Sequence, residues 1–248
     1  MIENPLTYSA GNVTIFLMKQ KIFYTEFAYI FGLIALAVGT AMTEKADFGM
    51  SMVVAPAYLL HLKVSQYLSW FSFGIAEYCV QAVLFLAMCL AVRKFRAGYL
   101  FAICTALLYG VLLDGCVFLF GLFEVSHVAL RILFYAVGFV IVTMGVSMLF
   151  HTYITPSVYE TFVKEISTAY HKNINVCKTV YDCTSCLVAI VLSFVFFGFP
   201  NFRGIGIGTV VCAFLNGPLI GMFSKLFERI FVFKDGLPLK KYFMPDGA

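Results

Sequence analysis

Six apolar runs leave this chain few folds to choose from. They lie at 24–43, 71–92, 99–120, 128–150, 179–197 and 205–231, and each meets the roughly 20 residues a helix needs to cross a hydrocarbon core. Lipid offers no partner to a backbone N–H or C=O, so each run must bond within itself as a helix. With 62% of residues hydrophobic and only 12% charged, and a mean hydropathy of +0.93, the chain's solvent is mostly lipid. The expected fold class is an all-α polytopic membrane protein, with residues 1–248 forming one transmembrane domain between short polar tails. The residues ahead of the first run hold Lys19 and Lys21 but no short apolar core with a small-residue cleavage site, so the first helix is expected to stay in place.

Two stretches are left over. Met52 to Leu62 is apolar but too short to span, and Val158 to Tyr170 carries Glu160, Lys164 and Glu165. They occupy equivalent places in an internal repeat. At a shift of 106 residues Gly32, Gly39, Met42 and Ser51 meet Gly138, Gly145, Met148 and Ser157; at 107, Phe95, Arg96 and Gly110 meet Phe202, Arg203 and Gly217. Repeat 1 then runs over about 22–124 and repeat 2 over about 128–231, each with three spanning helices and one short re-entrant or interrupted helix. An odd number of spans inverts the second copy. Placing the N-terminus inside leaves Lys45, Lys63, Arg131 and Arg203 outside and the other thirteen of seventeen Lys and Arg on the cytoplasmic side. If both short segments crossed, the balance would be twelve to five, so the tight loop Arg93 to Arg96, "RKFR", decides for the inverted arrangement with both termini cytoplasmic.

Non-helical backbone at membrane depth has to be buried in protein or line a wet cavity. "DFGMS" reads as a loop turned by Gly49 and capped by Ser51, opening a short helix. In the second copy "YITPSVYET" offers either Thr155 as N-cap with Pro156 at the first helical position, or Ser157 with Glu160 as a capping box. Two such helices pointing inward would put positive dipole ends around a central site, which suits anionic groups. Plain interfacial helices on the membrane surface are the alternative.

Carboxylates inside spans are rarely idle, because an ionised one at the bilayer centre costs about 3 kcal/mol. Glu77 and Asp182 stand 105 apart, early in the second span of each repeat. Each is read either as a coupling group or as a hydrogen bond to a neighbouring helix. Asp114 faces Gly221 in the other copy, so the symmetry fails there, and Glu26 reads as a headgroup-level charge. The candidate substrate-binding or coupling residues are Asp47, Gly49, Ser51, Glu77, Asp114, Pro156, Ser157, Asp182 and Asn216.

Other signals point to packing. Gly204, Gly206 and Gly208 in "RGIGIGT" lack the strand and βαβ unit of a dinucleotide site and are expected to let helices approach. Five of the eight cysteines fall inside apolar helices as small hydrophobes. Cys183 and Cys186 share a face near Cys177, but no second pair completes four ligands. His61, His127, His151 and His171 sit near helix ends, and no hydrolytic set is recognisable. Neither enzyme activity, nor a cofactor or metal, nor a nucleic-acid partner is expected; the partners are the lipid bilayer and a small solute or ion of unknown identity, with homo-oligomerisation left open.

"VGTAMTEKADFGMS", "VCKTVYDCTSC" and "FRGIGIGTVVCAFLNGPLIGMFSKLFE" resemble the YczE/YyaS/YitT group of bacterial integral membrane proteins, over roughly Gly32 to Glu228. Met52 and Val53 stand where that group has a Pro-aromatic pair. The resemblance implies a multi-pass protein of the bacterial inner membrane and no characterised activity. From the residues themselves the leading expectation is a small-solute transporter with a central site between two inverted repeats. A non-transporting subunit of a larger permease, export or biosynthetic complex is the alternative, and a lipid-acting intramembrane enzyme ranks behind both.

Overall fold

The computed structural model describes residues 21–93, 99–154, 157–172, 174–198 and 204–237, with backbone only at 174, 175 and 213. Among them are eight helices: α1 (Thr25–Ala46), α2 (Ala55–Val64), α3 (Phe73–Val92), α4 (Tyr99–Gly121), α5 (Val128–Phe150), α6 (Val158–Ala169), α7 (Ile174–Phe197) and α8 (Ile207–Ile230). Five of these, α1, α3, α4, α5 and α7, are long and apolar enough to cross a membrane. Their outward residues are apolar too, with Leu90, Val111, Phe118 and Val195 well exposed, as a lipid-facing surface requires. The sixth expected run folds as α8, a single helix of 24 residues that contains Pro218. α2 has 10 residues and α6 has 12, so at 1.5 Å per residue they reach about 15 and 18 Å, well short of a bilayer core.

Two boundaries depart from the sequence reading. α7 begins at Ile174 rather than near Thr179, because a helix tolerates the polar residues at its end that a hydropathy run excludes. The all-α expectation also misses two strands, β1 (Lys21–Tyr24) and β2 (Phe231–Lys234), which pair in parallel with Lys21 opposite Phe231. "KIFY" and "FVFK" alternate too briefly to be told from helix ends. The pairing sets the start of α1 beside the end of α8, and Glu26 reinforces it by accepting from the N–H groups of Gly236 and Leu237.

The central seam joins α1 to α5. Gly39 meets Gly138 and Gly32 meets Gly145, so the two helices run antiparallel. A Cβ at Gly39 would stand 2.6 Å from the Gly138 carbonyl oxygen and 2.7 Å from the Val142 nitrogen; glycine is what permits this approach. Around the seam α4 packs on α1 and α8 on α5, while α2 lies against α3 and α7, and α6 against α7 and α3.

The "DFGMS" loop is gripped by the glycines that lead into α8. Met50 N–H donates to Gly204 O at 3.0 Å and Gly208 N–H to Phe48 O at 2.9 Å. Gly49, at φ +105°, sits where a Cβ would come within 2.5 Å of the Gly206 nitrogen. "GIGIG" therefore serves backbone-to-backbone contact with a loop at Gly204 and Gly206, while Gly208 also lets α8 approach α5, as expected: a Cβ there would stand 2.5 Å from the Tyr135 ring. Arg131 closes the same end, donating to Ala46 O and pairing with Asp47 at 3.2 Å.

Candidate functional site

A cavity of about 100 Å³ opens between the two halves. α1 and α5 form one side with Leu33, Thr40, Thr43, Phe139 and Val146, α3 and α4 contribute Gln81, Thr105 and Tyr109, and α8 supplies Asn216 and Ile220. The short segments complete it. Met50, Ser51, Val53 and Val54 ahead of α2, and Ser157, Tyr159 and Glu160 at the start of α6, all face this one space, with Lys178 of α7 beside them.

The two short helices begin differently. α6 has the capping serine expected of it: Ser157 Oγ accepts from Tyr159 N–H at 3.2 Å and donates to the Glu160 carboxylate. The positive end of α6 is thereby already faced by a carboxylate of its own first turn. α2 corrects the expectation for Ser51. Its N-cap is Val54 with no side-chain bond, and the Ser51 carbonyl, not the hydroxyl, accepts from Val54 and Ala55. Pro56 in the first turn sets the helical φ there without needing a side-chain cap, which leaves the Ser51 hydroxyl available to the cavity.

Behind the wall lies Glu77, 0% exposed. Tyr159 OH donates to its Oε2 at 2.7 Å, and Gln81 Nε2 to the same oxygen at 3.2 Å. Glu77 Oε1 and Gln81 Oε1 have no hydrogen-bond partner among the described residues, nor has Asn216 Oδ1. Tyr109 OH, across the cavity, donates to Thr40 Oγ1 at 3.2 Å. The groups left bare here are acceptors.

Of the residues singled out from sequence, Ser51, Ser157 and Asn216 share the cavity wall, and Glu77 stands one side chain behind it. Asp182 pairs with Lys178 at 3.6 Å, so it meets the cavity only through that lysine. Asp47 lies outside, largely exposed and bound to Arg131, and Gly49 belongs to the loop clasp. Asp114 holds the start of α3, accepting from Ser72 OH at 2.5 Å and Gly74 N–H at 2.7 Å. Pro156 lies outside the described residues, as does the alternative cap Thr155. Sequence reasoning missed Gln81, Tyr109 and Tyr159. Gln81 was findable, since it stands four residues after Glu77 on an otherwise apolar helix, whereas the two tyrosines join the site only through tertiary contacts.

No curated protein and no solved structure matches this chain. A family profile does match, over residues 23–225, a stretch that takes in α1 to α7 and most of α8: the chain belongs to the family of unknown function DUF6198.

Proposed function

We propose that the chain is a small-solute transporter of the bacterial cytoplasmic membrane, built from two inverted repeats of three spans and one short helix. The observation that carries this reading is the common destination of the two short segments: Ser51 and Ser157, equivalent in the repeat, line one central cavity. The seam supports the inversion. Under the repeat Gly32 corresponds to Gly138 and Gly39 to Gly145, while in contact Gly32 meets Gly145 and Gly39 meets Gly138; such exchange is what a two-fold axis between equivalent helices produces. The short helices exchange likewise, each packing on the second long helix of both repeats. α8 serves as the sixth span, and both tails are cytoplasmic on the balance of basic residues. The deciding loop, Arg93 to Arg96, lies outside the described residues beyond Arg93; a reporter that fluoresces only in the cytoplasm, fused after Arg96, tests the orientation, and darkness refutes it.

The cargo is small and bears hydrogen-bond donors or positive charge. The bare Oδ1 acceptor of Asn216, and the carboxylate already facing the α6 terminus, turn the preference away from the anions that helix dipoles alone suggest. One observation favours the alternative of a non-transporting subunit: about 100 Å³ is less than the roughly 300 Å³ at which ligand pockets usually begin. The protein alone in liposomes, challenged with a panel of small amines, amides and alkali cations while transport currents are recorded, separates the two. A transporter gives currents that fall when Asn216 is replaced by leucine; an accessory subunit gives none.

A further inference from the structure

We infer that Glu77 is a proton-binding site of the cavity, protonated in the conformation seen here and closed into a two-point ring with Gln81. A primary amide and a carboxylic acid are complementary: each offers one donor and one acceptor on adjacent atoms. Half of the ring is present, Gln81 Nε2 donating to Glu77 Oε2 at 3.2 Å. The atoms that would make the other half, Glu77 Oε1 and Gln81 Oε1, are the two left without a partner. One proton on Glu77 Oε1 supplies the donor both oxygens lack and removes a charge from a side chain that is 0% exposed.

No cation among the described residues offsets a Glu77 carboxylate. α6 presents Tyr159, whose hydroxyl donates to Glu77, and Glu160, which is engaged by Ser157. Tyr109 stands nearby on α4 and Tyr181 on α7, both hydroxyls. At the start of α3, Asp114 is held by Ser72 and Gly74, and His61 of α2 by the Phe71 carbonyl at 2.9 Å. Lys178 is taken by Asp182.

The proton enters from cavity water, since Gln81 lines the cavity, and its loss returns a proton to that water with no other bond changed. Deprotonation sets two acceptors against each other across the ring, so the Gln81 amide must turn, altering the cavity wall. It also strengthens the Tyr159 bond, now to a charged acceptor, which draws α6 toward α3. That this proton is the coupling ion rests on the transporter reading above; that the proton is there does not.

Infrared spectroscopy of the purified full-length protein in liposomes, recorded as a difference between acidic and alkaline pH, tests the site without any solute. The expected result is a C=O band of a protonated carboxyl that shifts with 13C-labelled glutamate and is lost in Glu77→Gln. In Tyr159→Phe, which removes a donor to the carboxylate, the band persists to higher pH than in wild type. Absence of a protonated glutamate band in the folded wild type overturns the inference, as does its survival in Glu77→Gln. Should Glu77→Gln not fold, an unchanged titration in Tyr159→Phe overturns it instead. A band present without solute currents leaves the proton site standing and the transporter reading fallen; currents without the band do the reverse.

Discussion

Replacing Gly49 with alanine attacks the loop clasp at its centre. Its φ of +105° lies where an L side chain is strained by about 1 to 3 kcal/mol. The added Cβ would stand 2.5 Å from the Gly206 nitrogen and 2.6 Å from Thr209 Oγ1. Because the nearest obstacle is backbone, the loop has to withdraw, stretching the Met50-to-Gly204 and Gly208-to-Phe48 bonds that flank it, at about 1 kcal/mol each. The sum is roughly 3 to 5 kcal/mol. Denaturant unfolding in detergent reads this directly, with Gly115→Ala as control, since a Cβ there meets nothing within 4 Å and alanine in a helix interior is favoured by about 0.5 to 1 kcal/mol. Gly206→Ala should destabilise as well, because its Cβ would strike Phe48 O, and the double variant should lose less than the sum of the two, as both break one clasp. A Gly49→Ala protein within about 0.5 kcal/mol of wild type, or strict additivity with Gly206→Ala, would refute the clasp.

Gly39→Ala forces the α1–α5 seam apart against backbone at 2.6 and 2.7 Å, and its unfolding free energy should fall by about 3 kcal/mol, the upper range for overpacking; a neutral effect contradicts the seam. Asp182→Asn leaves Lys178, 42% exposed, free to reach water, so thermal stability should change little; transport currents unchanged at matched protein levels would rule out a coupling role for Asp182. Burial, together with the bond it donates to Glu26, pushes the Tyr153 hydroxyl up to about 12. Its folded value lies above the usual 10, so the stability it contributes is complete below pH 10 and lost as pH rises through about 12; ultraviolet titration of tyrosinate should show a component with its midpoint near pH 12 that Tyr153→Phe removes.

The long helices were legible because one helix at a time satisfies its own backbone in lipid; the run 128–150 and helix α5 coincide. Ser157 could be named as a cap because the bond it makes reaches only two residues along the chain. Ser51 shows the limit of that logic, since the same residue type ahead of the other short helix leaves that helix uncapped and lines the cavity. The loop contact made by "GIGIG" was out of reach because its partner, Phe48 to Met50, lies more than 150 residues away. Tyr159 was hidden for a related reason: a tyrosine two residues into an amphipathic helix looks ordinary until α6 is laid on α3. Glu77 could be marked as costly from sequence alone, but not that its Oε1 would be left bare.

The pairing of β1 with β2 bears on how the protein is made. Residues joined across it, such as Glu26 and Gly236, are 210 positions apart, so Lys21–Tyr24 leaves the ribosome and waits, at roughly 5 to 20 residues per second, some 10 to 40 seconds for its partner to be synthesised. Throughout that wait α1 is inserted with its first turn unsecured and Glu26 without the backbone donors it will hold. The strand pair closes only after α8 has been synthesised, which makes it a sign that all the helices between the two strands are in place. A chain stalled or cut before residue 231 presents an open strand edge and a Glu26 carboxylate held by Tyr153 without the backbone donors of Gly236 and Leu237, features by which a quality-control protease can tell an unfinished copy from a finished one.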